Sequence, residues 1–300
     1  LAAPAGANAG AVRVEDSTFT ANRANGEKPP GGYSFMGTGG GLSIGVRNTT
    51  IVNSTFSGNF ARDGGGGIMA AADQPEGVTV RPKLIHLTIT GNESTAQPGA
   101  GLYIAAGKPQ LKSSIVSGNR APSFPEKKDI AAGANIVKPL EAPNIQYNII
   151  GSASEIFALD PATQAPVTGT NRIHADPRLQ PLSDNGGYTP THALAADSPA
   201  RSAGGPVSAE AERDQRGFPR LLNAQTAAGA VEGLSAQIMY DEPYTATLNL
   251  RGASDLTAER RNESPAGLIA SDLPLTGSGA TRVLNVTPAG DRVGTVSYRL

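Results

Sequence analysis

A short phrase that recurs four times in the first 120 residues constrains the fold of this chain more than any other feature. Each copy ends in an asparagine, with one apolar residue three positions earlier and a second apolar residue eight positions earlier. The four asparagines are Asn22, Asn59, Asn92 and Asn119. Self-similarity at a period of tens of residues is typical of chains that stack one structural unit per repeat. We therefore predict a solenoid in which each copy supplies one coil.

The distances between successive asparagines are 37, 33 and 27 residues, and the differences come from insertions at two places. A glycine-rich step into a short apolar strand separates the copies, whereas the spacing from the strand that follows to its asparagine stays constant. The extra residues fall at 23–38 and 71–82. Insertions confined to corners leave the stacked strands intact, and a stacked coil tolerates them for that reason.

The segments between the corners are predicted to be short strands that stack in parallel. Residues 42–44 and 102–104 place apolar side chains at every second position, as a pleated strand does. Each run is too short to be stable alone, so it must pair with its neighbours. Asparagine and glycine suit the corners, and stacked asparagine side chains can hydrogen bond one coil to the next. The sequence thus predicts an all-β parallel β-helix with a structural turn ladder of asparagines.

The composition limits the class of protein and its partners. The 37 glycines and 23 prolines among 300 residues favour turn-rich β structure. A net charge of −1, with scattered lysines and arginines, predicts no nucleic-acid partner. The absence of cysteine excludes disulfides and thiolate metal sites. No apolar run approaches the length of about 18 residues that a membrane-spanning helix needs, so no membrane span is predicted. The opening at Leu1 predicts a fragment or a processed product.

The asparagine phrase combined with the glycine step resembles the repeats of polymorphic outer membrane proteins, which form right-handed parallel β-helices on bacterial surfaces. A second series of motifs follows, at residues 129–130, 148–151, 176–182, 184–194, 197–200 and 214–219. Their order resembles the C-terminal part of the bacterial β-helix proteins called choice-of-anchor Q domain proteins. Residues 229–233 match the usual ending of that family only in part. The resemblance implies a right-handed, single-stranded β-helix with an irregular C-terminal cap.

On this basis the chain is predicted to have three regions. Residues 1–158 form the parallel β-helix coils, residues 159–233 form the C-terminal cap region, and residues 234–300 form a separate module. In the last region, residues 245–250 alternate, and residues 273–288 and 294–298 add strand-like runs separated by turn signals. This pattern resembles the Ig-like or cadherin-like repeats of bacterial surface proteins, and it implies a small β-sandwich module, with truncation at its end left open.

Five residues are candidates for ligand binding. Tyr33 and Phe35, in the first insertion, are suited either to stacking on a sugar ring or to fixing the loop to the rod. Asp63 stands at a corner beside an arginine, and Asp73 and Glu76 lie in the second insertion. Enzymes that cleave polysaccharides use clustered carboxylates, often with a basic residue or Ca²⁺. These carboxylates do not recur on consecutive coils, so the interpretation that they are solvated loop charges is favoured.

The histidines and the remaining aspartates give no metal signature. His86, His174 and His192 are not spaced as a metal pair, and no zinc motif is present. His86 is expected to point outward from the coils, and His192 is expected to pack or to hydrogen bond within the cap. Four aspartates have neighbours typical of turns: Asp176, Asp184, Asp197 and Asp214. No cofactor or metal is predicted, although Ca²⁺ stays open as a ligand.

These observations together predict an extracellular protein of the bacterial cell surface with a structural or adhesive role. It would act as a stalk, a display element or a fibre subunit, without catalysis. The expected partners are a glycan, a cell-surface protein or further copies of the chain, which could associate end to end through an exposed sheet edge. Two alternatives stay open. One is a polysaccharide lyase or hydrolase of the β-helix class, and the other is a carbohydrate-binding module without turnover.

Overall fold

The computed structural model describes residues 10–26, 37–72, 80–133, 144–152, 169–218, 220 and 226–232, and the backbone of five later strands. Nearly all regular structure in these residues is β. The helical segments among them are two short 3-10 helices, Pro125–Lys127 and Pro199–Ser202. The predicted all-β class is therefore confirmed.

The first described coils each contain up to four short strands. Coil one holds β1 (Val12–Glu15), β2 (Thr18–Thr20), β3 (Arg23–Ala24) and β4 (Leu42–Ile44). Coil two holds β5 (Thr49–Val52), β6 (Thr55–Ser57), β7 (Phe60–Ala61) and β8 (Ile68–Ala70). Coil three holds β9 (Lys83–Ile85), β10 (Thr88–Thr90), β11 (Glu93–Ser94) and β12 (Leu102–Ile104). Coil four and its successors hold β13 (Gln110–Lys112), β14 (Ile115–Val116), β15 (Ile130–Ala132), β16 (Ile145–Gln146), β17 (Ile149–Ile150) and β18 (Arg172–Ile173).

Strands at the same place in successive coils stack in parallel into four sheets. Sheet A contains β1, β5, β9, β13 and β16, and sheet B contains β2, β6, β10, β14, β17 and β18. Sheet C contains β3, β7 and β11, and sheet D contains β4, β8, β12 and β15. All these pairings are parallel. The fold is the predicted parallel β-helix, and six levels of sheet B at about 4.8 Å each give a stack of about 24 Å.

The residues that the repeat aligns are in register in the structure. Sheet A pairs Val14, Ile51, Leu84 and Leu111 in one inward row. Sheet B does the same with Phe19, Phe56, Ile89 and Val116, and sheet D with Leu42, Ile68, Leu102 and Ile130. These rows form one apolar core along the stack. The spacing of apolar residues in the sequence therefore predicts the register correctly.

The corner between sheets A and B is built by residues that adopt a left-handed backbone without being glycine. We call this set the corner column: Asp16, Asn53, His86, Ser113 and Tyr147, with φ between 48° and 60°. Such φ values are uncommon outside glycine and asparagine, and they turn the chain sharply from one sheet into the next. The side chains of the corner column lie at the outer surface of the coils.

The region after the coils lies along their side. We call it the lateral cover, defined as residues 177–185, 189–215, 220 and 226–232. It contains the antiparallel pair β19 (Leu179–Ser183) and β20 (Thr191–Leu194). Its chain contacts coil one, where Thr18 donates to Pro190 O, and coil four, where Gly205 N donates to Ser113 Oγ. The region that the sequence predicts as a cap thus covers the corner between sheets A and B over four coils.

The later strands belong to a second compact unit. They are β21 (Tyr244–Asn249), β22 (Glu259–Ser264), β23 (Ile269–Asp272), β24 (Thr281–Pro288) and β25 (Thr295–Arg299). β24 pairs antiparallel with β21 and β23, and β22 pairs antiparallel with β25. Antiparallel pairing agrees with the predicted strand-and-turn pattern. The Ig-like topology stays a prediction.

Candidate functional site

The four repeated asparagines form one column, and each hydrogen bonds to the next. Asn59 donates from its backbone N and its Nδ2 to Asn92 Oδ1, at 3.0 and 2.9 Å. The same pair of bonds joins Asn22 to Asn59 and Asn92 to Asn119. The Nδ2 group of Asn92 also donates to Phe56 O in the preceding coil. The ladder therefore satisfies buried polar groups while it fastens each coil to its neighbours.

The ladder ends on a carboxylate. Asn119 donates from its backbone N and its Nδ2 to Asp129 Oδ1, at 2.9 and 2.8 Å. An ionised carboxylate only accepts hydrogen bonds, so it is suited to end a series of amides that all donate in one direction. Asp129 is fully buried, and this burial raises the pKa of its carboxyl group, while the bonds from Asn119 oppose the rise.

The sequence distinguishes Asp129 from the residues at the same place in the other coils, but its role was not predicted from the sequence. In the first three coils a glycine stands directly before the inward residue of sheet D: Gly41, Gly67 and Gly101. A Cβ atom on Gly101 would lie 2.6 Å from Asn119 Nδ2, so the ladder leaves no room for a side chain there. In the fourth coil Asp129 takes this place, and its own carboxylate fills the space of the next ladder member. The change from glycine to aspartate at this step marks the end of the ladder.

Asp63, a predicted ligand residue, is bound within a corner of coil two. Its carboxylate accepts from Arg62 Nε at 3.0 Å and from Gly37 N at 3.3 Å, and its backbone N donates to Gly37 O. Its side chain is 12% exposed. These bonds fasten the corner of coil two to the returning chain of coil one. The structure therefore gives Asp63 partners inside the protein.

The other predicted ligand residues, Tyr33, Phe35, Asp73 and Glu76, lie outside the described residues. The first insertion connects β3 to β4, and the second connects β8 to β9. One insertion therefore enters sheet D and the other leaves it.

The outer face of sheet D carries an apolar row that sequence reasoning missed. Met69, Tyr103 and Ala131 are in register on β8, β12 and β15, and they pack against each other. Met69 and Tyr103 are buried, and burial raises the pKa of the tyrosine hydroxyl. Alternation along the residues 102–104 assigns only Leu102 and Ile104 to the interior, so Tyr103 could have been recognised as the outward residue.

The lateral cover binds a polar face of the coils. Gln215 accepts from Thr55 Oγ1 at 2.6 Å and donates to Thr18 Oγ1 at 2.8 Å. Ala230 N donates to Thr88 Oγ1 at 3.0 Å. The outward threonines of sheet B in coils one to three are thus each bonded to the cover, and those of coils two and three are fully buried.

His192 lies in the cover and pairs with a serine of sheet B. Its Nδ1 group lies 2.7 Å from Gln180 O, which can only accept, so this nitrogen carries the proton. Its Nε2 atom then accepts from Ser57 Oγ at 2.9 Å. Burial lowers the pKa of the imidazole. A hydrogen-bonded serine and histidine can act as nucleophile and base, but catalysis also needs amide groups that stabilise an oxyanion. The amide that follows Ser57, Gly58 N, already donates its hydrogen bond to Thr90 O.

A buried ion pair holds the end of the cover on the corner column. Arg220 NH1 donates to Glu232 Oε2 at 3.0 Å, and Arg220 NH2 donates to Asn53 Oδ1 at 2.9 Å. Both charged side chains are buried, at 0% and 2% exposure. Glu232 N in turn donates to Asp214 Oδ2. Burial raises the pKa of the Glu232 carboxyl group, and the positive charge of Arg220 partly offsets that rise.

His86, the corner-column residue of coil three, is covered by the same part of the chain. It is 1% exposed, and its Nδ1 atom has no hydrogen-bond partner in the described part of the protein. Burial, followed by the positive charge of Arg220, lowers the pKa of the imidazole well below its usual value. His86 is therefore neutral in the closed structure at neutral pH.

The described residues bring no three histidine, aspartate or glutamate side chains together in a group that could hold a metal ion. Within the same residues, no helix has the length and apolar character needed to cross a membrane. The chain matches no protein-family model, no curated protein and no solved structure. The assignment of its fold therefore rests on strand register and hydrogen bonding.

Proposed function

We propose that this chain is part of an extracellular bacterial surface protein whose role is structural or adhesive. The observation that carries the proposal is the asparagine ladder, which runs through four coils and ends on Asp129. Because Asn59, Asn92 and Asn119 are each bonded on both sides of the stack, we expect the coils to resist separation. A stiff stack of this kind suits a stalk, a display element or a fibre subunit.

The sequence resemblance supports the same proposal. The asparagine phrase and the glycine step resemble repeats of polymorphic outer membrane proteins, and the later motifs resemble choice-of-anchor Q domain proteins. Both resemblances suggest a right-handed β-helix at a bacterial cell surface. The region after residue 234, with its antiparallel strands, fits the proposal of an Ig-like module.

Display would use the two insertions, which precede β4 and follow β8 in the sequence. Tyr33 and Phe35 belong to one insertion, and Asp73 and Glu76 belong to the other. Aromatic rings can stack on sugar rings, and carboxylates can accept hydrogen bonds from sugar hydroxyl groups. We propose a glycan or a cell-surface protein as the ligand of these loops.

Fibre formation would use the first coil. Val14, Phe19 and Leu42 are only partly buried, whereas Ile51, Phe56 and Ile68, their partners in coil two, have 0% exposure. Phe19 stacks on Phe56 with ring centroids 4.7 Å apart. A partly exposed core row at an edge of stacked strands favours addition of a further strand layer. Light scattering at increasing protein concentration tests for end-to-end association, and a strictly monomeric chain would contradict it.

A polysaccharide panel tests the main proposal. Acidic and neutral polysaccharides are presented with Ca²⁺ or with EDTA, and both binding and the release of new reducing or unsaturated ends are measured. Binding that is lost in Tyr33→Ala or Phe35→Ala, without cleavage, supports an adhesive role. Binding should also weaken in Asp73→Asn and should be kept in Asp197→Asn, the matched control, because Asp197 is an exposed carboxylate on the lateral cover.

Cleavage of any polysaccharide would contradict the structural proposal and favour the lyase or hydrolase alternative. The carboxylates at 63, 73 and 76 would then be changed first. If the panel shows neither binding nor cleavage, the scaffold role is retained and protein partners become the ligands to test. A requirement for Ca²⁺ in binding would identify the cation as part of the ligand site.

A further inference from the structure

The contact between the lateral cover and the coils differs in kind from the coil interior. The fully or nearly fully buried apolar side chains that the cover places on Ile115 and Ile149 are alanines, Ala200, Ala203 and Ala228, and its two leucines at this contact, Leu179 and Leu194, are only partly buried. Small side chains bury little apolar area, so each contributes little to holding the cover. The remainder is hydrogen bonding, for which the net stabilisation is modest as long as all partners are present. We expect that the local opening of a segment held in this way costs less free energy than the unfolding of the core.

The corner column is the line along which this attachment is made. Asn53 donates from Nδ2 to Arg213 O and accepts at Oδ1 from Arg220 NH2. Ser113 accepts from Gly205 N at its Oγ and from Gly229 N at its backbone O. His86 lies between these two positions, in coil three. It is the one titratable side chain among the three, and the cover closes over it completely.

The charged groups around His86 make its protonation unfavourable in the closed state. Its column neighbours, Asn53 and Ser113, are uncharged. From the cover, Arg220 presents a positive charge, and the negative charge of Glu232 is already paired with Arg220. Asp214 is bonded to the backbone N of Glu232. A second positive charge at His86 would thus stand beside Arg220 without a carboxylate of its own.

We propose that His86 makes the lateral cover an acid-releasable element, so that protonation of its imidazole opens the cover while the coils stay folded. Opening gives the ring access to water and separates it from Arg220. It also uncovers the threonine row of sheet B and the side chains of Ile115 and Ile149. The acid form would therefore present a face of the β-helix that the neutral form conceals. This inference is independent of the proposed surface role.

The direction of the pH dependence follows from linkage. A histidine whose pKa is lowered in the closed state favours closure above its open-state pKa, and this contribution is lost as the pH falls below that value. His192 acts in the same direction. Glu232 acts in the opposite direction, because its pKa is raised by burial in the closed state. A variant that changes His86 alone separates its effect from the other two.

His86→Asn is the variant that tests the proposal. Asparagine occupies the same corner position in coil two with nearly the same φ, so the substitution suits the backbone. Hydrogen exchange is measured at pH 7.5 and 5.5, as protection relative to the unfolded chain. The amides of Gly229 and Ala230 report on the cover, and the amide of Leu102, bonded to Asp129 O, reports on the coils.

With an open-state pKa of about 6.5, protection of the cover should fall about tenfold more in the original chain than in His86→Asn between these two pH values. The coil amide should keep its protection in both. His174→Asn is the matched control, because His174 has φ 60° but is exposed, and it should behave like the original chain.

Two results would overturn the proposal. One is an equal loss of cover protection in His86→Asn, and the other is a simultaneous loss in cover and coils. Imidazole chemical shifts provide a second measurement that does not need a variant. The proposal requires the His86 ring to remain neutral in the closed state, so a ring that becomes protonated with an ordinary pKa under a fully protected cover would also refute it.

Discussion

The coils and the lateral cover are both built mostly from short strands and turns, but different interactions hold them. Inside the coils, rows of isoleucine, leucine and phenylalanine pack directly above one another, beside a continuous amide ladder. Against the cover, the same coils present threonine, serine and corner-column side chains, which bond to single residues far along the chain. The coils thus repeat the same packing and hydrogen bonds at every level, whereas the cover depends on individual long-range contacts.

This difference predicts that the two regions respond differently to mutation. A change in a repeated row disturbs the coils above and below it, so its cost should appear in global unfolding. A change in the cover should weaken its attachment and leave the rows intact. The following substitutions are ordered by their expected effect on global unfolding, from the largest to the smallest.

Gly101→Ala should be the most damaging of these. The new Cβ atom would lie 2.6 Å from both Asn119 Nδ2 and Asp129 O, and 2.8 Å from Val116 Cγ1. Backbone and ladder must both move, so we expect a loss of about 3 kcal/mol in the free energy of unfolding. Chemical denaturation measures it. Gly45→Ala is the control, since nothing lies within 4 Å of its Cβ position, and it should change stability by less than about 0.5 kcal/mol. Equal effects would show that the ladder is not closely packed.

Asn92→Ala should be the next most damaging. It removes the acceptor for Asn59 and leaves Phe56 O without its side-chain donor, in a fully buried place. Unsatisfied buried groups of this kind predict a loss of about 2–3 kcal/mol in thermal or chemical unfolding. Asn22→Ala, at the exposed first ladder position, should cost less than about 1 kcal/mol. If the two variants lost the same stability, the ladder would not act as a series of buried links.

Arg220→Met should weaken the cover while the coils remain folded. It leaves Glu232 as a buried charge without its ion-pair partner and removes the bond to Asn53. Trypsin should then cut faster after Arg201 and Arg213, which lie in the cover, while circular dichroism and the denaturation midpoint of the coils stay nearly unchanged. Joint unfolding of coils and cover would contradict the separation proposed here.

Asp129→Asn should have the smallest effect, and that effect should depend on pH. The folded-state pKa of Asp129 is raised by burial, so its contribution to stability is fully present at low pH and is lost as the pH rises through the folded-state value. The original chain should therefore gain stability relative to Asp129→Asn as the pH falls through the folded-state value toward the ordinary pKa of an aspartate. Parallel stability curves for the two proteins would show that the ladder end does not titrate.

The repeat allows much of the coil region to be predicted from sequence. Val14, Phe19 and Leu42 each predict the register of a whole row, because side chains stacked in parallel strands must match in type and spacing. Corner residues are less predictable. His86 and Tyr147 hold a left-handed backbone that is uncommon for residues other than glycine, so only the alignment of coils reveals their shared position.

The cover could be predicted as a region but not in its contacts. Its motifs resemble those of a known family, yet the bond from Thr55 to Gln215 joins residues 160 positions apart and does not recur. Arg220 carries no sequence signal for burial, since an isolated arginine is usually a surface residue. Outside these two regions, the strand Glu259–Ser264 was missed, because its polar composition lacks the usual strand formers.

Native-state hydrogen exchange at neutral pH with increasing denaturant tests most directly whether coils and cover are separable. The amides of Gly229 and Ala230 should exchange through a local opening that depends little on denaturant, whereas the amide of Leu102 should exchange only through global unfolding, with its full denaturant dependence. If all three amides showed the same free energy of opening and the same denaturant dependence, cover and coils would form one cooperative unit, which would contradict a separable cover.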